Sequence, residues 1–310
     1  MAERFEAAVI GHLTVDDIVL PNGQTHFTTP GGNALYASLG LKAWGVHPVL
    51  LTCMCRNYPK EALELLTRSG IDMDRVIALD VPAVRQWALY DVQGGRKYVP
   101  IHTESDYHSI SPRPPLVPEQ VLGRIRAAHI APMPIDIQEQ WVYALKSRGV
   151  PYISLDPHED WMSDADRWAK ILPLLNVFMP SSVEVAAMLG SGIGEPEAAR
   201  RIAVMGPPVV VLKLGERGSL VYEKESGRET RISPYPGEAV DPTGCGDAYC
   251  GGFLAGMSAG CGPAAAAEWG SVSASFVLEG YGPMAAMTAE RSAASGRLAW
   301  YTAQRLKGMA

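Results

Sequence analysis

The sequence lacks the marks of several protein classes. It contains no Gly-x-x-x-x-Gly-Lys-Ser/Thr, which disfavours a nucleotide cradle of the P-loop type. Gly244 and Gly246 have no third glycine at the dinucleotide spacing, which disfavours a Rossmann dehydrogenase. There are 5 cysteines, Cys53, Cys55, Cys245, Cys250 and Cys261, an odd number without Cys-x-x-Cys pairs. Neither a disulfide framework nor a zinc knuckle is indicated, and a reducing cytoplasm is the expected location. Lys and Arg (27) are outnumbered by Asp and Glu (33), the net charge is -6, and no local basic cluster offsets it. A nucleic-acid partner is therefore not expected. No apolar run approaches membrane-spanning length, and Met1 to Leu13, carrying Glu3, Arg4 and Glu6, reads as a first strand rather than a signal peptide. His158-Glu159-Asp160 lacks a second ligand pair at helical spacing and is not a metal motif. Internal repeats and low-complexity tracts are missing too.

What is present is an apolar chain of 310 residues, 47% hydrophobic and 19% charged, which suits one compact α/β domain over residues 1–310. Buried strands are predicted at residues 7–10, 48–54, 128–131, 152–155, 177–179 and 209–214. Helices are predicted at 33–44, 59–68, 138–146, 184–189, 247–259, 263–278 and 289–305. Strand and helix alternating in this way predict a mostly parallel central sheet with helices on both faces. Residues 76–103 break the alternation, with Trp87, Leu89 and Asp91 leading into Gly94-Gly95 and then Tyr98-Val99, as in a β-hairpin. A second hairpin is predicted around Ser226-Gly227. Ligands of open parallel sheets sit beyond the carboxyl ends of the strands, so the chemistry is sought in the loops that follow strands.

The most informative stretch is Asp241-Pro242-Thr243-Gly244-Cys245-Gly246-Asp247, which runs straight into a helix. Small residues let a ligand approach the backbone, and the free N–H groups of a first helical turn favour an anion, phosphate above all. A carboxylate beside a phosphate is repelled by it, so Asp247 needs a purpose there. Taking the proton from an attacking hydroxyl is one. Capping the helix is the other, and local physics alone leaves the two open.

Asp241 to Asp247 with Gly251-Gly252-Phe253 resembles the C-terminal signature of the PfkB or ribokinase family of carbohydrate kinases, usually Asp-Thr-Thr-Gly-Ala-Gly-Asp before a helix. Pro242 and Cys245 depart from it. Other segments resemble the family in the same order. Gly11 to Asp16 is similar to its first strand and substrate-binding Asp, and Gly31-Gly32 with Gly45 to its N-terminal signature. Pro180 to Glu184 is similar to its Pro-Asn-x-x-Glu segment, and Lys213 to Gly218 to its nucleotide-side loop.

The resemblance implies a ribokinase-like fold with a small β-sheet lid built from residues of about 12–30 and 76–108. It further implies ATP-dependent phosphorylation of a hydroxyl, a primary alcohol, on a sugar or sugar-like molecule. A nucleoside or vitamin-like alcohol is the alternative, and a ligand-sensing member without turnover the rival from another class. Asp247 would be the base, and the backbone N–H groups of Gly244, Cys245 and Gly246 the anion hole. Asp16 would accept hydrogen bonds from substrate hydroxyls, with Gly31, Gly32 and Asn33 close to the same ligand. Tyr36 stands where Asn is common; it either stacks on the substrate or packs. On the nucleotide side, Glu184 would hold Mg2+ through water, beside Ser181 in place of the common Asn. Lys213, where many relatives have Thr, either reaches ATP phosphates or points to solvent, with Gly215 and Gly218 shaping its loop. Ser271, with Trp269 and Gly270, lies where the family places adenine, although Trp269 is equally a core residue. Asp241, with carbonyls near Gly282, matches a region that holds K+ in relatives. A homodimer through the lid is the oligomeric expectation.

Overall fold

The computed structural model describes residues 7–92, 96–101, 105–306 and 308. Its centre is an eight-stranded sheet in the spatial order Arg228–Ile232, Ser219–Glu223, Val209–Lys213, Val177–Phe178, Tyr152–Leu155, Ala127–Ile130, Ala8–Ile10 and Val49–Leu51. The six strands from Val209–Lys213 to Val49–Leu51 run parallel, and the hairpin Ser219–Glu223/Arg228–Ile232 adds an antiparallel edge. The parallel strands are buried nearly throughout. They read as continuous apolar runs because helices cover both faces.

On one face pack Ile135–Ser147, Ala165–Ile171 and Glu195–Val204, filling a core around Trp141 and Trp168. The other face carries Asn33–Lys42, Cys245–Ser258 and Pro263–Leu278. The first two of these lie almost backbone to backbone, since a Cβ at Gly251 would stand 2.0 Å from the Ala37 carbonyl oxygen and one at Gly40 2.2 Å from that of Ala248. Glycine at these positions brings the helix that begins beside Asp247 against the helix that follows Gly31-Gly32.

A separate four-stranded sheet, ordered Thr25–Gly31, Thr14–Val19, Arg85–Tyr90, Arg96–Pro100, stands off the central one. The expected hairpin of the 76–103 segment is its Arg85–Tyr90/Arg96–Pro100 pair, and its Gly94-Gly95 turn lies outside the described residues. The start of that segment goes elsewhere: Ile77–Leu79 pairs in parallel with Cys53–Cys55 in a two-stranded sheet. The strand predicted at 48–54 is thus two strands broken at Thr52, whose hydroxyl donates to the Gly11 carbonyl at 2.7 Å. An apolar run shows no break when the break is made by a distant backbone acceptor.

Candidate active site

The loops at the carboxyl ends of the parallel strands converge on the start of the helix Cys245–Ser258. Gly244 precedes this helix at φ +79, a left-handed conformation that glycine adopts without strain. A Cβ there would stand 2.1 Å from Cγ of Tyr36. The Tyr36 ring therefore lies directly beneath the glycine-rich turn, 2 % exposed, which is the packing alternative of the two read from sequence. Its hydroxyl has no hydrogen-bond partner among the described residues. Burial, then the charges of Asp16 and Asp241, hold its ionisation far above the ordinary tyrosine range.

Asp241 pins this turn from within. One carboxylate oxygen accepts from the Thr243 N–H (2.9 Å) and hydroxyl (2.6 Å), and the other from the Gly282 N–H at 2.8 Å. Because the Thr243 hydroxyl gives its proton to Asp241, it accepts from the Tyr90 hydroxyl of the small sheet. The glycine-rich turn and the small sheet are thereby joined. Asp247, in the first turn of the helix, is half-buried, Gly246 beside it is exposed, and Cys245 is half-buried with its thiol 3.8 Å from the Ala274 carbonyl.

Asp16, 2 % exposed on Thr14–Val19, accepts at Oδ1 from the Thr14 hydroxyl (3.1 Å) and from Gln86 Nε2 (3.2 Å). The Tyr107 hydroxyl in turn donates to Gln86 Oε1 at 2.8 Å. The carboxylate rests on Gly31, where a Cβ would stand 2.0 Å from Oδ2. Gly32 passes as closely over the His12 carbonyl, 2.3 Å from a would-be Cβ, at φ +104. Asn33 uses its side chain as a strut, accepting from the His12 N–H (2.8 Å) and donating to the Pro132 carbonyl (2.6 Å). The neighbouring Asp17 is held by both sides of the Arg85 guanidinium at 3.0 Å. Both adjacent aspartates thus tie strands of the small sheet, Asp16 through Gln86 and Asp17 through Arg85.

On the far side of the helix start, Ser181 and Glu184 form a reciprocal capping box at the head of Ser182–Leu189. Lys213 forms a bridge with Ser181 and does not point into solvent: its ammonium pairs with Asp156, and its side chain is 15% exposed. Burial works against that charge, but Asp156, Cys250 and Glu184 outweigh it and hold the ammonium above its ordinary range. The loop after it turns at Gly215 (φ +61) and Gly218 (φ +78) to enter the antiparallel edge. Ser271 accepts from the Tyr235 N–H (2.8 Å) and donates to the Ser233 carbonyl (3.2 Å), which fixes the segment before the turn. Trp269 stacks on Trp44 at 4.0 Å between ring centroids, in the manner of a packing residue.

Two residues of this site escape a reading of the sequence. Gln86 reaches Asp16 across 70 positions, and Asp156 reaches Lys213 across 57. Asp156 carried a usable signal, being a carboxylate directly after the buried strand Tyr152–Leu155. Gln86 carried none, as one polar residue in an alternating strand.

The model of the pfkB family of carbohydrate kinases matches residues 6–290. The chain belongs to that family. It is a phosphotransferase whose acceptor is an alcohol group. A cytidine kinase of Thermococcus kodakarensis is 30% identical over 257 residues, 82% of this chain and 89% of that protein. A nucleoside kinase of Methanothermobacter thermautotrophicus is 25% identical, over 91% of this chain and 92% of that one. Among solved structures, a putative ribokinase II from E. coli in complex with ATP and Mg2+ superposes with a TM-score of 0.77 at 20% identity, covering 95% of this chain and 99% of that one. The central sheet, its helices and the separate small sheet are those of the ribokinase fold. Among the described residues, no helix is long and apolar enough to cross a membrane.

Proposed function

We propose that this family member transfers the γ-phosphoryl of ATP to the hydroxymethyl group of a nucleoside, with Asp247 as the base. The observation that carries the reaction is the placement of Asp247 in the first turn of Cys245–Ser258, behind a glycine-rich turn held open by Gly244 and pinned by Asp241. The Asp247 carboxylate takes the acceptor's hydroxyl proton as the oxygen forms its bond to the γ-phosphorus. The bond from that phosphorus to the bridging oxygen breaks, and ADP leaves with the electron pair. The backbone N–H groups of Gly244, Cys245 and Gly246 meet the charge on the moving phosphoryl. Asp16, whose Oδ1 is saturated by Thr14 and Gln86, orients the acceptor through its hydroxyls.

The residues suit a magnesium nucleotide: Gly246 leaves the helix start exposed to phosphate, and the buried carboxylate of Glu184 stands beside the Lys213 ammonium. Mg2+ would draw charge from the β- and γ-phosphates, with Glu184 holding it through water. Asp241 ties the glycine-rich turn to Gly282, where the family resemblance implies a K+ site, and stimulation by K+ is part of this proposal.

A nucleoside is preferred because the relatives aligned along nearly the whole chain are named for cytidine and for nucleosides. A free sugar is the second reading, favoured by relatives named sugar kinase and 5-dehydro-2-deoxygluconokinase, which align over 36% and 27% of this chain. A coupled assay of ATP consumption over nucleosides, pentoses, hexoses and sugar acids decides between them. Turnover at least tenfold faster with a nucleoside is expected. Turnover confined to free sugars would reverse the preference, and no turnover with any nucleoside or sugar would remove both readings.

A further inference from the structure

The pair Asp156–Lys213 lies at the base of the proposed phosphate site and is poorly built for stability alone. Asp156 is 1 % exposed, and its Oδ1 has no hydrogen-bond partner among the described residues. Its Oδ2 pairs with the Lys213 ammonium and accepts weakly from the Cys250 thiol at 3.5 Å. A buried carboxylate with a bare oxygen costs free energy that one ion pair does not reliably repay, so stability does not explain the choice of residues. Position does. Asp156 directly follows Tyr152–Leu155 and Lys213 ends Val209–Lys213, two strands separated by Val177–Phe178, so the pair bridges over the strand between them. Cys250 stands one helical turn beyond Asp247, so its contact sets the Asp156 carboxylate against the start of the catalytic helix. On the other side, a Cβ at Gly246 would stand 3.7 Å from Lys213 Nζ. The ammonium thus lies against the turn at which phosphate is proposed to bind.

We propose that Asp156 is a positioning residue that holds the Lys213 ammonium beside Gly246, where it acts as a fixed positive charge on the β- and γ-phosphates of ATP. This rests on the kinase reading above. Lysine carries its charge on a flexible stem, and the pairing with buried Asp156 holds that charge in one place. The ammonium so held strengthens phosphate binding.

The test is calorimetric titration of magnesium-ATP and of AMP into wild type, Lys213→Met, Asp156→Asn and the double variant, with thermal unfolding of each. Asp156→Asn alone strands a buried ammonium and is expected to unfold at lower temperature. The double variant removes both charges and is expected to regain wild-type stability. Its ATP affinity is expected to stay at least tenfold weaker than wild type, with AMP affinity unchanged. A double variant that regains both stability and ATP affinity would show the pair to be structural and overturn the proposal while leaving the kinase reading intact. Wild type that fails to bind magnesium-ATP would overturn both.

Discussion

Tyr36 and Gly244 show how tightly single residues are constrained here. A side chain at Gly244 meets both a left-handed backbone and the Tyr36 ring, so Gly244→Ala is expected to cost about 2–4 kcal/mol of stability, read by urea unfolding. A variant as stable as wild type would show that the ring yields. Gln86 acts through Asp16, and Gln86→Ala is expected to raise KM for the acceptor about tenfold while leaving KM for ATP within about twofold. An unchanged acceptor KM would remove Gln86 from the site. Asp16 and Asp247 were singled out in the sequence by their places in motifs that resemble the family's, which local physics alone left open between a functional and a structural use. Gln86 was not, because its role is created by a contact between segments far apart in the chain. The dual reading of Lys213 is decided against solvent by Asp156, a partner that nothing near residue 213 announces.

At the scale of elements, the alternation of apolar runs and helical stretches made the parallel sheet readable, since fully buried strands leave continuous hydrophobic segments. The limits of Tyr152–Leu155 and Pro263–Leu278 coincide with the sequence expectation. Ile77–Leu79 did not follow its neighbours into the small sheet, because short half-buried strands carry too little pattern to name their partner. We propose that the small sheet is a lid which excludes water from the acceptor. One tie to the glycine-rich turn is the Tyr90–Thr243 hydrogen bond, so Tyr90→Phe should raise amide exchange in Thr14–Val19 and Arg85–Tyr90 and lower kcat/KM about three- to tenfold. Exchange and kinetics identical to wild type would show that lid and turn are independent. The same sheet exposes Phe27, Trp87 and Val99, which are 57%, 42% and 37% exposed, an apolar face that we assign to pairing of two copies. Light scattering of Trp87→Lys should give the monomer mass where wild type gives the dimer; a monomeric wild type would refute the pairing.

For the whole molecule, His12 and His129 are buried neutral, burial pushing each down to about 3. The unfolded chain takes up their protons near the ordinary value of 6.5, so their contribution is complete above that pH and is lost as pH falls from 6.5 towards 3. Unfolding free energy is expected to drop by about 2–4 kcal/mol between pH 7 and pH 5, and a flat profile would contradict the neutral burial of these rings. The central claim, that the molecule is organised to let Asp247 deprotonate an acceptor hydroxyl, is tested most directly by steady-state kinetics of Asp247→Asn with the acceptor found in the panel. The variant keeps the size and hydrogen bonding of the side chain and removes only the base. Its kcat is expected to fall about a hundredfold to ten-thousandfold, with KM for both substrates within about threefold and unchanged thermal unfolding. A near-normal kcat would contradict the account and leave Asp247 as a helix cap.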